Sequence, residues 1–258
     1  MELTHDDMED LRRAKRLLEN TSLAARLAHA VGQPIEKFMT MLPPVVAESA
    51  MAVTNKALAA ALNVAVRSLD MRQAPRSDAV HKLVVGATGA VGGAFGLPAA
   101  VLEVPASTTL ILRSIAEIAQ GEGESLALPE ARLACLQVFA LGGPEAQDDA
   151  ADSGYFAVRA VMARALEEAS QYVATHGVTS KGAPVLVRFL TKIAARFGVR
   201  VSQKLVAQSV PLVGAVGGAA INVLFMAHFQ DVARGHFVVR RLERKYGPAT
   251  VRAAYPRL

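Results

Sequence analysis

A chain of 258 residues that is 52% hydrophobic and 20% charged can bury a large core, as one large domain or two small ones. Its single cysteine, Cys135, excludes an intrachain disulfide framework and fits a reducing compartment. Aromatics are only 5% with no Trp, so the apolar content is mostly Ala, Val and Leu, and the net charge of +5 matters through its placement. Helical spacing recurs throughout, and no strand–turn–strand pattern interrupts it. Thr4 with Asp7 three residues on predicts a capped first helix running to Asn20. Short helices follow at Ser22–Val31 and Pro34–Leu42, the second stopped before Pro43-Pro44. Val45–Leu69 reads as a long Ala-rich helix and Arg72–Asp78 as a linker, a sub-boundary near 70–80 within a single domain of residues 1–258. Further helices are expected at Ser107–Gln120, Pro129–Leu141, Ser153–Thr175 and Pro184–Val210, the last broken near Gly198. A final helix runs to Tyr246, where Gly247-Pro248 ends it. The fold class is all-α, a multi-helix bundle.

The hexapeptide Gly-Ala-Val-Gly-Gly-Ala occurs twice, at Gly89–Ala94 and Gly214–Ala219. Glycines at helical spacing leave a face without side chains, so another backbone can come close. Gly89, Gly92 and Gly93 in one copy, and Gly214, Gly217 and Gly218 in the other, are therefore candidate packing residues at the centre of the bundle. The uncharged stretch Leu83–Leu102 is about long enough to span a bilayer. Its five glycines and Pro98 suit a buried or membrane-dipping hairpin better. The acidic N-terminus, with Glu2, Asp6, Asp7, Glu9 and Asp10, is the reverse of a secretory leader.

No acidic residue lies between Glu168 and Asp231. Inside that stretch Arg188, Lys192, Arg196, Arg200 and Lys204 recur every fourth residue, a slowly wrapping cationic stripe on a helix. Phe189, Ile193, Phe197, Val201 and Leu205 follow each cation by one residue and form a parallel apolar stripe. A core helix with a solvated basic face has this pattern. So does a helix that attaches to an anionic membrane surface, where each Lys or Arg contributes about 1 kcal/mol. Nucleic acid is disfavoured, since stacking aromatics, a helix-turn-helix and zinc-finger spacing are all missing. A second basic cluster, Arg240, Arg241, Arg244 and Lys245, closes the last long helix and complements its negative end.

Polar residues in apolar surroundings are few. Asn222, His228, Asp231, His236 and Arg240 share one helix, and Glu103 is a carboxylate inside an apolar segment. A buried charge needs a partner, so Glu103 is expected to pair with His228, His236 or Arg240. Such a network is structural, a ligand site, or an acid/base site. No two histidines have the i,i+4 spacing of a zinc pair, and no phosphate loop or nucleophile elbow occurs. No metal and no cofactor is expected.

Several segments together resemble the EcsC protein family. They are Leu18-Glu19-Asn20, Gly32-Gln33-Pro34-Ile35-Glu36, Glu103-Val104-Pro105, and Leu136 through Gly142. They include Pro211 through Ala215 with Gly218 and Asn222. The ending is most specific: His228, Ala233-Arg234-Gly235-His236-Phe237, Arg241-Leu242-Glu243-Arg244 and Tyr246-Gly247. The resemblance implies a bacterial protein, cytoplasmic or associated with the inner membrane, named after a gene cluster that also encodes an ABC exporter. It supplies no catalytic residues. The expectation is a non-enzymatic protein, peripheral to the inner membrane on its cytoplasmic face. It would bind anionic lipid through Arg188–Lys204, with a membrane transporter as a further partner. The alternatives are a metal-dependent or acid/base hydrolase using Glu103, His228, Asp231 and His236, or a soluble acyl-chain carrier.

Overall fold

A computed structural model describes residues 3–19, 22–32, 44–67, 97–142, 154–177, 183–209 and 214–257. Among these the chain is helical, with no strand. Helix α1 is His5–Glu19, and Thr4 caps it as expected: the Asp7 amide donates to Thr4 Oγ1 at 3.3 Å, and Thr4 Oγ1 donates back to Asp7 Oδ2 at 2.9 Å. Helix α2 is Leu23–Val31, started by Ser22, which accepts from the Ala25 amide at 3.2 Å, and ended by Gly32 at φ 66°. Helix α3 is Pro44–Arg67, α4 is Leu97–Gly121, and α5 is Pro129–Gln137, continued by a 3-10 turn at Val138–Ala140. Helix α6 is Gly154–His176, α7 is Pro184–Ser209, α8 is Gly214–Tyr246, and a short α9 covers Pro248–Ala254.

Two expected boundaries are corrected. Helix α4 begins at Leu97, ten residues before the expected start at Ser107, and runs through Pro105. A proline inside a helix loses one backbone bond. The turn before it is held by tertiary contacts instead, because Glu103 is tied to two other helices. Helix α7 is not broken at Gly198. That glycine lets α3 approach: an added Cβ would lie 3.3 Å from Met51 Cε and 3.8 Å from Thr54 Oγ1. The segments 33–43, 68–96 and 143–153 lie outside the described residues. With them go the expected helix at Pro34–Leu42, the linker, and the glycines Gly89, Gly92 and Gly93.

The second hexapeptide opens α8, where Gly217 is half-buried and Gly218 buried. Helix α8 is the hub of the molecule, packing against α1, α2, α4, α7 and α9. It runs parallel to α4, and three polar rungs join the two in ascending order: Asn222 to Glu103 at 2.8 Å, Gln230 to Ser114 at 2.8 Å, and Arg240 to Glu124 at 2.7 Å. Against α1 it runs antiparallel. Lys245 and Tyr246 donate to Asp7 Oδ2 at 2.6 and 2.7 Å, and Arg241 donates to Asp10 Oδ2 at 2.6 Å. The two backbones come close at Gly235, where a Cβ would lie 2.7 Å from Leu18 Cγ and 2.9 Å from the Ala14 carbonyl oxygen. One hydrophobic core joins the described helices. At its centre Phe139, Phe197, Phe225 and Phe229 meet with ring centroids 4.8 to 6.1 Å apart. Cys135 is buried there as a small apolar side chain; its thiol donates to the Ala131 carbonyl at 3.2 Å, and burial pushes its pKa up. Helix α3 contains, over Glu48–Arg67, the one described stretch long and apolar enough to cross a membrane, with 44% of its residues buried inside the protein.

Candidate functional site

Glu103 is buried and paired, but not with the expected partners. Its Oε1 accepts from Lys204 Nζ and from Asn222 Nδ2, both at 2.8 Å. Lys204, with no side-chain exposure, also donates to Ser107 Oγ at 3.3 Å and lies 4.9 Å from the centre of the Phe225 ring. Three donor directions of the ammonium are thus matched, the condition for a buried charge to persist. Burial opposes ionisation of Glu103, but the Lys204 charge and the hydrogen bonds from Lys204 and Asn222 outweigh it, so the carboxyl titrates below its usual range. Burial likewise makes Lys204 easier to deprotonate, against the pull of Glu103. This cluster ties α4, α7 and α8 together.

The other polar candidates fall into separate networks. His228 is fully buried, and neither ring nitrogen has a hydrogen-bond partner among the described residues. Burial, reinforced by the charges of Arg200 and Arg26, lowers its pKa to about 3 and holds it neutral. Asp231 turns outward to Arg26 at 2.9 Å and Arg234 at 3.3 Å. Arg240 pairs with Glu124 at 2.7 Å and Glu130 at 3.2 Å. His236 Nδ1 lies 2.9 Å from the Tyr155 hydroxyl. Arg159 donates to that phenol oxygen at 3.3 Å and grips Glu243 with two bonds of 2.8 Å. The Tyr155 O–H is then left to donate to Nδ1, which assigns the ring proton to Nε2. Among the described residues no group of three His, Cys, Asp or Glu side chains is placed to hold a metal ion. The hydrolase alternative needed Glu103, His228, Asp231 and His236 to converge. Glu103, Asp231 and His236 instead pair with residues on different elements, and His228 pairs with no described residue.

The cationic stripe on α7 is also corrected. Arg188 pairs with Glu168 at 3.1 Å, and Lys192 donates to the Val161 carbonyl at 2.7 Å, both on α6. Arg196 donates to the Ala140 carbonyl at 3.0 Å and Arg200 to the Gly142 carbonyl, beyond the end of α5. Burial lowers the Arg200 pKa to about 10, with Arg196 adding to the effect. Lys204 is in the core. The reason is helical phase. Each step of four residues advances the stripe by about 40°, so it turns by about 160° from Arg188 to Lys204. It starts in solvent and ends inside. Phe189, Ile193, Phe197, Val201 and Leu205 stay buried throughout, because α7 is covered in turn by α6, the end of α5, and α4 with α8. The second basic cluster is neutralised internally by Asp7, Asp10, Glu122, Glu124 and Glu130.

What remains outside is an apolar and basic face on α6 and α7. Val161, Val187 and Val199 are exposed at 65, 50 and 43%. Arg164, Arg188 and Lys192 stand exposed on the same two helices. A groove of about 350 Å³ runs between the helices, with Val161, Met162, Ala195 and the stems of Lys192 and Arg196 in its walls. The exposed valines went unnoticed in the sequence. For Val187 and Val199 the signal is the residue before a cation, since Val187, Ala195 and Val199 precede Arg188, Arg196 and Arg200 where a purely solvated face would carry polar side chains.

A family model described as the EcsC protein family matches residues 5–242, nearly the whole chain. The chain belongs to the EcsC protein family. No curated protein and no solved structure matches it. The family match spans α1 to the last turns of α8 and includes the buried Glu103–Lys204 cluster and the Arg241–Asp10 pair, while Lys245 and Tyr246, which hold Asp7, lie just beyond it.

Proposed function

We propose that this EcsC-family chain is a non-enzymatic protein that attaches reversibly to an anionic membrane surface, at the cytoplasmic face of the inner membrane, through the outer face of α6 and α7. The observation that carries the reading is the exposure of Val161, Val187 and Val199 beside Arg164, Arg188 and Lys192. Apolar side chains next to cations are what an interfacial helix uses, inserting the first and pairing the second with lipid phosphates. The attachment is weaker than a five-cation stripe would give. Three cations contribute about 3 kcal/mol before screening, and Glu168 offsets part of that. The gene neighbourhood after which the family is named supports a membrane transporter as a partner.

Flotation with anionic and neutral vesicles across a salt series tests the reading. The chain is expected on anionic vesicles only, with release as salt rises. Replacing Arg164, Arg188 and Lys192 together by Gln should weaken binding at least tenfold, and Val161→Glu with Val187→Glu should abolish it. Equal flotation with neutral vesicles, or variants that float like the parent, would overturn it.

A further inference from the structure

We propose that the turn 228–232 of α8, where α2 and α7 pack on it, binds a phosphate group between Arg26, Arg200 and His228. His228, Asp231 and Val232 stand three and four residues apart, so they share one face of the helix. Asp231 receives Arg26 of α2 at 2.9 Å. Val232 supports Gly142, where an added Cβ would strike Val232 Cγ2, and the Gly142 carbonyl receives Arg200 of α7. Two guanidinium groups from two helices are therefore anchored over one turn, with the His228 ring beneath them. Helices α2 and α7 also pack on each other. Both charges reach the ring: Arg200 and Arg26 oppose its protonation.

Two independent observations point to an anion here. His228 is fully buried, and neither ring nitrogen has a hydrogen-bond partner among the described residues. One nitrogen of a neutral imidazole carries a proton, and a buried donor without an acceptor is costly. Arg200 points the same way. Its acceptor among the described residues is a backbone carbonyl, reached through Nη2, which leaves Nε and Nη1 without one. Burial and the neighbouring Arg196 both push its pKa down, and no described carboxylate offsets them. A half-buried cation held by a neutral group and repelled by a second cation gains from a counter-charge. Arg26 likewise reaches Asp231 through Nη2 and has Nε and Nη1 to offer.

The charge balance and the donor directions select the ligand. Asp231 is engaged on both oxygens, Oδ2 by Arg26 and Oδ1 by Arg234. Arg196 and Arg234 have partners of their own. Arg26 and Arg200 against Asp231 leave one positive charge, which suits a single phosphate group and not a polyphosphate. Guanidinium forks match phosphate oxygens with parallel bonds. Donors arriving from α2, α7 and α8 suit the separate oxygens of a tetrahedral group better than a planar carboxylate. Arg26 and Arg200 are half-buried and form the rim, and His228 forms the floor. The site stands independently of the α6–α7 membrane reading.

The test is a thermal melt and a calorimetric titration of the full chain with sodium phosphate, with ionic strength held constant by chloride. Phosphate should bind one to one and raise the melting temperature saturably. Arg200→Gln and Arg26→Gln should each weaken binding at least tenfold. His228→Leu should weaken it at least fivefold while leaving the melting temperature in phosphate-free buffer unchanged or higher, which separates a ligand contact from a structural one. Arg12→Gln, exposed on α1, should bind phosphate like the parent. So should the variant with Arg164, Arg188 and Lys192 replaced by Gln, which keeps a failure here distinct from a failure of membrane attachment. Dihexanoyl phosphatidic acid is the second probe: binding at least tenfold tighter than inorganic phosphate assigns the group to a lipid head, and equal affinity assigns it to a soluble phosphate. A melting temperature that responds to phosphate no more than to chloride, or His228→Leu and Arg200→Gln variants that bind phosphate like the parent, would overturn the proposal.

Discussion

At the scale of single residues, the buried Glu103–Lys204 pair is the costliest place to intervene. Removing one partner leaves a charge in the core, at a cost of about 3–5 kcal/mol. Glu103→Leu is therefore expected to lower the urea midpoint sharply. Glu103→Gln should also cost more than it would beside a neutral histidine, because the Lys204 ammonium keeps an acceptor but loses its counter-charge. The double variant Glu103→Leu with Lys204→Met should recover most of the loss, since replacing both charges by apolar groups is often neutral or better. Full additivity of the two single losses would mean that the pair is not coupled. His228 is the opposite case. Its two ring nitrogens are buried without partners among the described residues, so His228→Leu should be neutral or stabilising in the same assay. A loss above about 2 kcal/mol would mean that the imidazole makes a contact worth more than its desolvation.

At the scale of elements, glycines separate by what lies opposite them. Gly235 faces the Ala14 carbonyl and Leu18 where α1 crosses α8, and backbone cannot step aside. Gly235→Ala should cost about 1–3 kcal/mol by overpacking. Gly198 faces Met51 Cε, the far end of a flexible side chain, at 3.3 Å. Gly198→Ala should be neutral or gain up to about 1 kcal/mol from helix propensity. Thermal melts of the two variants read the contrast directly, and equal shifts would sink it. The glycines of the duplicated hexapeptide were the obvious candidates in the sequence, yet a glycine on which two helix backbones close is Gly235. It belongs to no repeat. A lone glycine amid Ala233-Arg234 and His236-Phe237 carries no pattern that says which helix will cross it. The α7 stripe shows the same limit: its spacing was legible, but its 160° turn into the core depends on which helices surround α7.

At the scale of the whole molecule, buried histidines and depressed carboxyls make the fold acid-sensitive. His228 is held neutral with its pKa near 3, and His236 is also lowered well below its ordinary value, both first by burial. The unfolded chain takes up these protons near pH 6.5 and the native chain does not, so stability is lost as pH falls below 6.5. The loss approaches about 1.4 kcal/mol per pH unit per histidine. Glu103 and Asp7 add to it further down, Asp7 being lowered to about 2 chiefly by the hydrogen bond from Lys245. Their contribution is present above the unfolded carboxyl value and disappears as pH falls through the folded one. Urea midpoints should therefore decline from pH 7 to 5, and His228→Leu should flatten that decline. A flat profile in the parent would contradict neutral burial of the histidines.

Composition and periodicity by themselves determined the helical class, most helix boundaries, the cap at Thr4 and the stop at Gly247. These follow from local backbone physics: hydrogen bonds within a few residues, side-chain spacing, and residues that start or stop a helix. The need for a partner at Glu103 was also legible, because an apolar flank on both sides implies burial. Its identity was not. Lys204 read as a surface cation because every residue of the stripe looks alike along the chain. Only the tertiary structure decided which of the five would meet solvent, which a carbonyl and which a carboxylate. That choice rests on contacts between residues separated by 101 positions, for which spacing along one helix carries no information.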